Sequence, residues 1–409
     1  MKKMIGCIIF LFCAGVARAE GLTLRECYAL TLKRSEAIAI QGELIKETEG
    51  LMLQSLSTAL PKVAFAYSQK WQDARPNDTF GGSTPEAKFT FSQPLFTGFK
   101  EFAAISASKH LGKQRAQELK RAKELLFTDV SDAFYLYLSY QQDLEVLETT
   151  HKALEERVAE LVKRQTIGKS RPSEVASAQS KLLKNEATTE GVRSQRETAG
   201  QLMEFLIGQT FDHLIEEDAA RADMKPEDLY MKADGRADVV AARESVMAYK
   251  NNVTAARSTF LPSVTLGGNI YAKRGDAFEG NDWDTTLTVN VPLFSGLSDV
   301  GQLQQAKSQA IEADLRLSQM RRKALLEVRQ AYTSWQSVIR RVDALAKALE
   351  ASDKNYALQV DDFQKSLVNN LDVLQALEDL QSSRRDWVSA KAEAHRAYST
   401  LKVSVGEID

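Results

Sequence analysis

The chain has 409 residues, 53 Lys and Arg against 55 Asp and Glu for a formal net charge of −2, 44% hydrophobic residues and only 8 Pro. That balance excludes a disordered chain and offers no basic surface to a nucleic acid, so no nucleic-acid partner is expected.

Lys2 and Lys3 precede an apolar run from Met4 to Val16, and Ala17-Arg18-Ala19 places small residues where a signal peptidase reads. Residues 1–19 are therefore expected to be a removed secretory signal, the run being too short to span a bilayer. Cys13 follows Phe12 and Cys7 lies too early, so neither reads as a lipid acceptor. Cys27 alone remains after removal, which rules out an internal disulfide. Beyond residue 19 no apolar run approaches ~20 residues, so any contact with a membrane must be made by strands.

Thr23-Leu-Arg-Glu26 pairs a hydroxyl with a Glu three residues on, a capping box that opens a helical pattern running to Leu60, where Pro61 ends it. From Pro61 to Gln72 Val63, Phe65 and Tyr67 alternate with Ala64, Ala66 and Ser68, which predicts a strand. The turn-rich Asp73–Pro85 leads to a second strand at 86–96, so 61–96 reads as a hairpin. There Phe89, Phe91 and Leu95 alternate with Lys88, Thr90 and Ser92 before Pro94-Leu-Phe-Thr-Gly98 stops strand pairing and starts a helix. From Phe99 to about Arg164 the pattern is helical, and Tyr140, Leu144, Leu147, His151, Leu154, Val158 and Leu161 form a left-handed coiled-coil seam. Gln165–Pro172 breaks it, and another helix runs from Ser173 to about Ile207.

After a connector at 209–235 the scheme repeats: a helix from Arg236 to Phe260, strands at 262–273 and 283–294, a helix from Leu297 to about Gln364, a break at 365–370, and a helix to Val403. Leu287, Val289 and Val291 alternate with Thr286, Thr288 and Asn290 in the last strand. Pro94 matches Pro292, Val175 matches Val373 and Gly208 matches Gly406, every pair 198 residues apart. One constant offset over such a span marks a whole-unit duplication of residues 20–208 and 236–409, with a period far longer than a solenoid's.

The fold expected is mainly α with a small β part. At 1.5 Å per residue helix 99–164 is roughly 100 Å long, and the shorter helices laid end to end nearly match it. Chain order then sets a hairpin at one end of each long helix and the turns 165–172 and 365–370 at the other. Four strands in two hairpins leave open edges, which a membrane does not tolerate, so closure needs several chains. Two copies give eight strands and a filled interior; three give twelve and a water-filled bore, hence an expected homotrimer. Phe89, Phe91, Leu287 and Val289 are expected to face lipid, with Trp71 and Trp283 as an interfacial belt. A conduit open at its far end would leak, so a constriction is expected at the turns, where Glu174 and Asp372 correspond at the same offset and each becomes a ring of three carboxylates in a trimer. An acid in a first helical turn also serves simply as a cap.

These residues together resemble the outer-membrane efflux proteins, the TolC-like family of trimeric channel-tunnels. The resemblance rests on the opening Leu22-Thr-Leu-Arg-Glu26, Leu-Pro at 60–61 and 261–262, the two Pro-Leu-Phe-(Thr/Ser)-Gly turns, Arg236-Ala-Asp238 and Leu371-Asp-Val-Leu374. It implies a 12-stranded outer-membrane barrel, a 12-helix periplasmic tunnel, and docking to a periplasmic adaptor and an inner-membrane pump of RND or ABC type. The docking tips would be Gly168, Lys169, Ser170 and Arg171 with Ser366, Leu367, Val368 and Asn369, and the gate Asp372, Glu174 and Gln375. Ala237 departs from a common Pro, Gln375 from a second gate acid, and Val368 from an Arg that locks the closed state in well-known members; the chain also ends soon after Gly406, without a C-terminal extension.

No catalytic constellation is present: His110, His151, His213 and His395 are scattered, and no phosphate loop, nucleophile elbow or CxxC occurs. Arg274-Gly-Asp276 is turn chemistry. The expectation is an exit duct for a tripartite efflux pump or a type I secretion system, without cofactor or metal; the alternative is a periplasmic coiled-coil spacer or adaptor with no pore.

Overall fold

The computed structural model describes residues 21–71, 83–216, 225–274 and 282–408. The expected signal at 1–19, most of both hairpin loops and residues 217–224 lie outside them. In chain order the elements are α1 (Leu24–Arg34), α2 (Glu36–Ser57), β1 (Lys62–Trp71), β2 (Ser83–Phe96), α3 (Lys100–Thr166), α4 (Pro172–Ile207), α5 (Pro226–Lys232), α6 (Ala237–Arg257), β3 (Ser263–Lys273), β4 (Trp283–Asn290), α7 (Ser298–Gln364) and α8 (Asn370–Ser404). No described helix is long and apolar enough to cross a membrane.

The duplication is written into the backbone. Positive φ occurs at Gly98, Phe99, Gly168 and Gly208, and again at Gly296, Leu297, Ser366 and Gly406, each 198 residues on. Helices α3 and α7 contain 67 residues each and start at Lys100 and Ser298, the same offset apart. The left-handed residues end helices in the same way in both halves. The N–H groups of Gly168 and Lys169 return to the carbonyls of Gln165 and Arg164 at 3.0 and 2.8 Å, and those of Ser366 and Leu367 to Phe363 and Asp362 at 3.0 and 2.9 Å. This is the Schellman arrangement, which satisfies the last carbonyls and turns the chain. Ser366, which stands where the first half has Gly168, therefore keeps the left-handed conformation, with φ of 63°.

Two expected boundaries are corrected. The helix expected from Thr23 to Leu60 is interrupted at Ser35, whose extended backbone and hydroxyl, accepting from the Ile38 N–H at 3.4 Å, make it the N-cap of α2. The last strand stops at Asn290, not 294, because β3 begins at Ser263, after Pro262, and offers no partner beyond the Ser263↔Asn290 pair. The Thr23/Glu26 capping box forms as read, with Thr23 N–H to Glu26 Oε2 at 2.9 Å and Glu26 N–H to Thr23 Oγ1 at 3.3 Å.

The described residues of Met1–Arg34, Val130–Arg221 and Ala344–Glu393 form one compact unit, which holds both helical turns; those of Ser35–Asp129, Ala222–Asp343 and Ala394–Asp409 form another, which holds the strands. In the turn unit Leu144, Leu147, Leu154 and Leu161 of the expected seam are buried, with Tyr140, His151 and Val158 partly so. Cys27 is fully buried there, and burial, followed by the neighbouring Glu26 charge, pushes its thiol up to about 12, so it stays protonated and inert. The core of the sheet unit is Leu229, Val239, Val246, Leu317, Val328 and Leu401 with their neighbours. Beside it Arg236, 1% exposed, makes a bidentate pair with Asp238 at 2.7 and 2.6 Å, meets Glu327 at 2.7 Å and donates to the Ser404 carbonyl at 3.4 Å. Arg121 joins this knot, donating to the Val403 carbonyl at 2.9 Å and to Glu124 at 3.0 Å. Two guanidinium groups thus occupy the carbonyl end of α8, where the helix dipole favours cations.

Gly98 and Gly296 have the same backbone, φ 67° and 64°, but different surroundings. An added Cβ at Gly98 would lie 2.9 Å from both Leu261 Cβ and the Ser258 carbonyl, whereas at Gly296 it would meet nothing within 4 Å. Both alanine variants carry the left-handed penalty of roughly 1–2 kcal/mol, and only Gly98→Ala adds a collision. Thermal melting followed by helical circular dichroism should show a clearly larger drop for Gly98→Ala; equal drops would mean the turn conformation alone matters.

Candidate functional site

The four strands make one antiparallel sheet in the order β1-β2-β3-β4. Sequence pairs β1 with β2 and β3 with β4 as hairpins; the structure also joins the halves, β2 to β3, through Phe89↔Ile270, Thr90↔Asn269 and Phe91↔Gly268. Among the described residues β1 and β4 pair on one side only, so each leaves a row of backbone donors and acceptors open.

Residues directly opposite in an antiparallel pair share a face. Register puts Val63 with Phe91, Phe65 with Phe89, Val264 with Val289, Leu266 with Leu287 and Ile270 with Trp283 on one side. Lys88, Thr90, Asn269, Asp284, Thr286 and Thr288 take the other. The apolar side is uncovered: Phe91 is 38% exposed, Phe89 50%, Val289 59%, Leu287 60%, and Trp71 reaches 76%. The Phe65 and Phe89 rings touch across β1 and β2 with centroids 5.2 Å apart. A contiguous exposed patch of this size marks a surface that something apolar covers.

The second candidate is the pair of turns. Gly168, Lys169, Ser170 and Arg171 link α3 to α4, and Ser366, Leu367, Val368 and Asn369 lie between α7 and α8. Both sequence-picked acids are held at helix starts. Glu174 accepts from Ser170 Oγ at 2.5 Å and from the Arg171 N–H at 3.1 Å, and these bonds, the hydroxyl first, hold its carboxyl below the usual range. Asp372 accepts from the Asn369 N–H at 3.1 Å while Asn369 Oδ1 accepts from the N–H groups of Leu371 and Asp372 at 2.7 and 3.2 Å, a reciprocal capping box. Gln375 is exposed one turn on and donates to Asp379 at 2.9 Å. Val368 packs against the core of Leu161, Val175, Phe363 and Val373, so this position serves packing where an Arg would supply charge.

A cluster beside the turns was not legible in sequence. The buried Phe363 ring lies between two guanidinium groups, Arg157 at 4.7 Å and Arg164 at 4.3 Å from its centroid. Glu160 bridges both arginines at 2.9 Å. The spacing of 157, 160 and 164 announces ion pairs along α3. It does not announce the aromatic ring that α7 supplies. Asp143 of α3 likewise takes a bidentate bond from Arg385 of α8 at 2.6 and 2.9 Å. Among the described residues no three His, Cys, Asp or Glu stand close enough to hold a metal.

The sequence model of the family described as outer membrane efflux protein matches residues 52–209 and 229–407. Outer membrane protein TolC of Vibrio cholerae serotype O1 is 24% identical over 377 residues, covering 85% of this chain and 84% of that one. Outer membrane efflux protein BepC of Brucella suis biovar 1 is 22% identical, covering 88% and 81%. The crystal structure of the outer membrane protein VceC from Vibrio cholerae superposes with a TM-score of 0.82 at 20% identity, covering 94% of this chain and 96% of that one.

Because the Glu174 carboxyl is lowered in the folded state, its contribution to stability is complete above the ordinary Glu range and is lost as pH falls through the folded value. Glu174→Gln should therefore melt below wild type at neutral pH and converge with it once pH has fallen through the lowered folded-state value. A gap that stays constant with pH would remove the charge from this cap.

Proposed function

Because this chain belongs to the outer membrane efflux protein family, we propose that three copies close one 12-stranded barrel and form the exit duct of a tripartite efflux pump or type I secretion system. The protein is an outer-membrane channel and not an enzyme, with its strands in the outer membrane and its helices in the periplasm. The observation that carries the reading is the sheet: apolar on one face, polar on the other, and open at β1 and β4. In hydrocarbon an unpaired edge costs several kcal/mol per group, so the edges must pair with other copies. Four strands from each of three chains leave a water-filled bore, where eight would be filled by side chains. Phe89, Phe91, Leu287 and Val289 then face lipid. Exposed Ile40 and Leu53 of α2 and Ile311 and Leu315 of α7, between 59% and 67% exposed, supply apolar contact for a neighbouring copy.

The turns at Gly168–Arg171 and Ser366–Asn369 receive a periplasmic adaptor, which couples the duct to an inner-membrane pump of RND or ABC type. Asp372, with Glu174 and Gln375, lines the periplasmic constriction. Capping and gating are compatible roles for Asp372, since its second carboxylate oxygen is left for cations and in a trimer three such groups converge.

Mass measurement of the detergent-extracted protein, combined with planar-bilayer recording, should find a trimer that conducts ions. A soluble monomer would favour a periplasmic spacer, and a conducting monomer would end the shared-barrel reading.

The role of Asp372 separates in two substitutions. Asp372→Ala removes the charge and the carboxylate half of the capping box while the Asn369 cap remains; Asp372→Asn keeps an acceptor and removes only the charge. Both should lose cation selectivity or block by multivalent cations while trimers persist. Unchanged selectivity and block in both would leave Asp372 as a helix cap.

A further inference from the structure

The polar face of the sheet is not uniformly polar. On β3 and β4 most of it is Thr265, Gly267, Thr286, Thr288 and Asn290, all uncharged. At the strand ends next to Arg274 it changes character. Register there places Glu86 and Lys88 of β2 beside Tyr271 of β3, and Asn269 of β3 opposite Asp284 of β4. On the opposite face Trp283 neighbours Asp284 in the chain and Trp71 closes β1. Indole rings of this kind sit at the headgroup level of a barrel, which sets the depth of the charged group on the other face.

The contacts are specific. Asp284 accepts from Asn269 Nδ2 and from the Tyr271 hydroxyl, both at 2.7 Å, and its Oδ2 lies 3.7 Å from the Arg274 guanidinium. That guanidinium lies 4.0 Å from the centroid of the Tyr271 ring. Lys88 Nζ lies 5.7 Å from the same centroid and 2.7 Å from Glu86 Oε1. One aromatic ring therefore holds two cations, and each cation has its own carboxylate. The Arg274 side chain is only 19% exposed, because it lies down on the sheet. A β-bulge aids the placement: Lys88 pairs with Tyr271 and Ala87 with Lys273, so β3 carries Ala272 as an extra residue at this level. Bulges gather at barrel rims and re-aim side chains.

Sheet formation needs none of this, since uncharged Thr, Gly and Asn line the rest of the same face on β3 and β4. Two cations drawn to one ring repel each other, and a cation–π contact at an exposed site is weak. Around the ring Lys88 and Arg274 are paired with Glu86 and Asp284, and Lys70 of β1, opposite Thr84, adds a further cation to this end of the face. Removing any one paired member changes the net charge at one level of the bore wall.

We propose that Glu86, Lys88, Tyr271, Arg274 and Asp284, positioned by Asn269, form a filter of paired charges at the mouth of the bore that sets its selectivity among small hydrated ions. The inference rests on the barrel reading above, because the polar face lines a bore only once the sheet is closed. Three copies of these pairs arrange six cations and six carboxylates around the opening, with the Arg274–Tyr271 stack covering the wall between them. A ring of fixed charge controls which ions enter a pore.

The test is the zero-current potential of wild-type and variant channels in planar bilayers across a KCl gradient. Arg274→Gln should move the cation-to-anion permeability ratio upward by about twofold or more, Asp284→Asn should move it downward, and the double variant should return near wild type. Lys88→Gln and Glu86→Gln repeat the opposed pair without touching the bonds of Asp284, so a folding defect in the first set does not decide the matter. Tyr271→Phe, which keeps the ring and loses the hydroxyl bond, should shift selectivity in the direction of Asp284 displacement without loss of trimer. Conducting trimers whose permeability ratio is unchanged in both opposed pairs, or moves the same way in both members of a pair, would overturn the filter and leave the channel reading intact. A wild-type protein that inserts without conducting would overturn the channel reading, and the filter with it.

Discussion

Helices as long as α3 and α7 stop only where the chain is forced out of the right-handed conformation. In this protein the force is a left-handed residue: Gly168 and Ser366 after the long helices, Gly208 and Gly406 after α4 and α8. A left-handed residue turns its own N–H and the next one back onto the last carbonyls, so it ends a helix and satisfies it in one step. Because these points recur at one offset, the two halves have long helices of equal length. Gly98 and Gly296 are left-handed as well, at the turns that lead into α3 and α7.

The sheet obeys a different rule. Its two faces differ because side chains alternate, and its two edges are open because four strands do not close on themselves. Pairing of β2 with β3 unites the halves of the duplication in a single surface and fixes which residues share a face. Lipid outside and water inside are the two solvents that such a surface matches.

Charge has separate tasks in different surroundings. Arg236 and Glu124 are each 1% exposed, and Arg236 together with Arg121, the partner of Glu124, fills the carbonyl end of α8. Burial raises the Asp238 carboxyl, but Arg236 and then Arg121 outweigh it and hold the group below its ordinary range. Such a knot is structural, since breaking a buried pair leaves a charge without water. The acids at the turns keep solvent access, so their charge remains available beyond the cap they form. Arg157 and Arg164 stand between these cases, with guanidinium planes against Phe363 and a shared carboxylate in Glu160.

The sequence by itself determined what depends on near neighbours and on repetition. Periodicity located the long helices, the seam at Leu144–Leu161 and the alternating strands; Thr23 and Glu26 announced a cap that forms; and the constant offset announced equal halves. Ser35 escaped because a hydroxyl between two helical patterns carries the same local signal whether it caps or continues. Asp372 and Glu174 were legible as acids in first turns, whereas their Asn369 and Ser170 partners required loop geometry. Only the tertiary structure decided that β2 pairs with β3, that Phe363 enters between Arg157 and Arg164, and that Lys88, Tyr271, Arg274 and Asp284 converge. The physical reason is that a period fixes the face on which a residue lies, while register between distant segments is fixed by the sum of many contacts that no single stretch of chain contains.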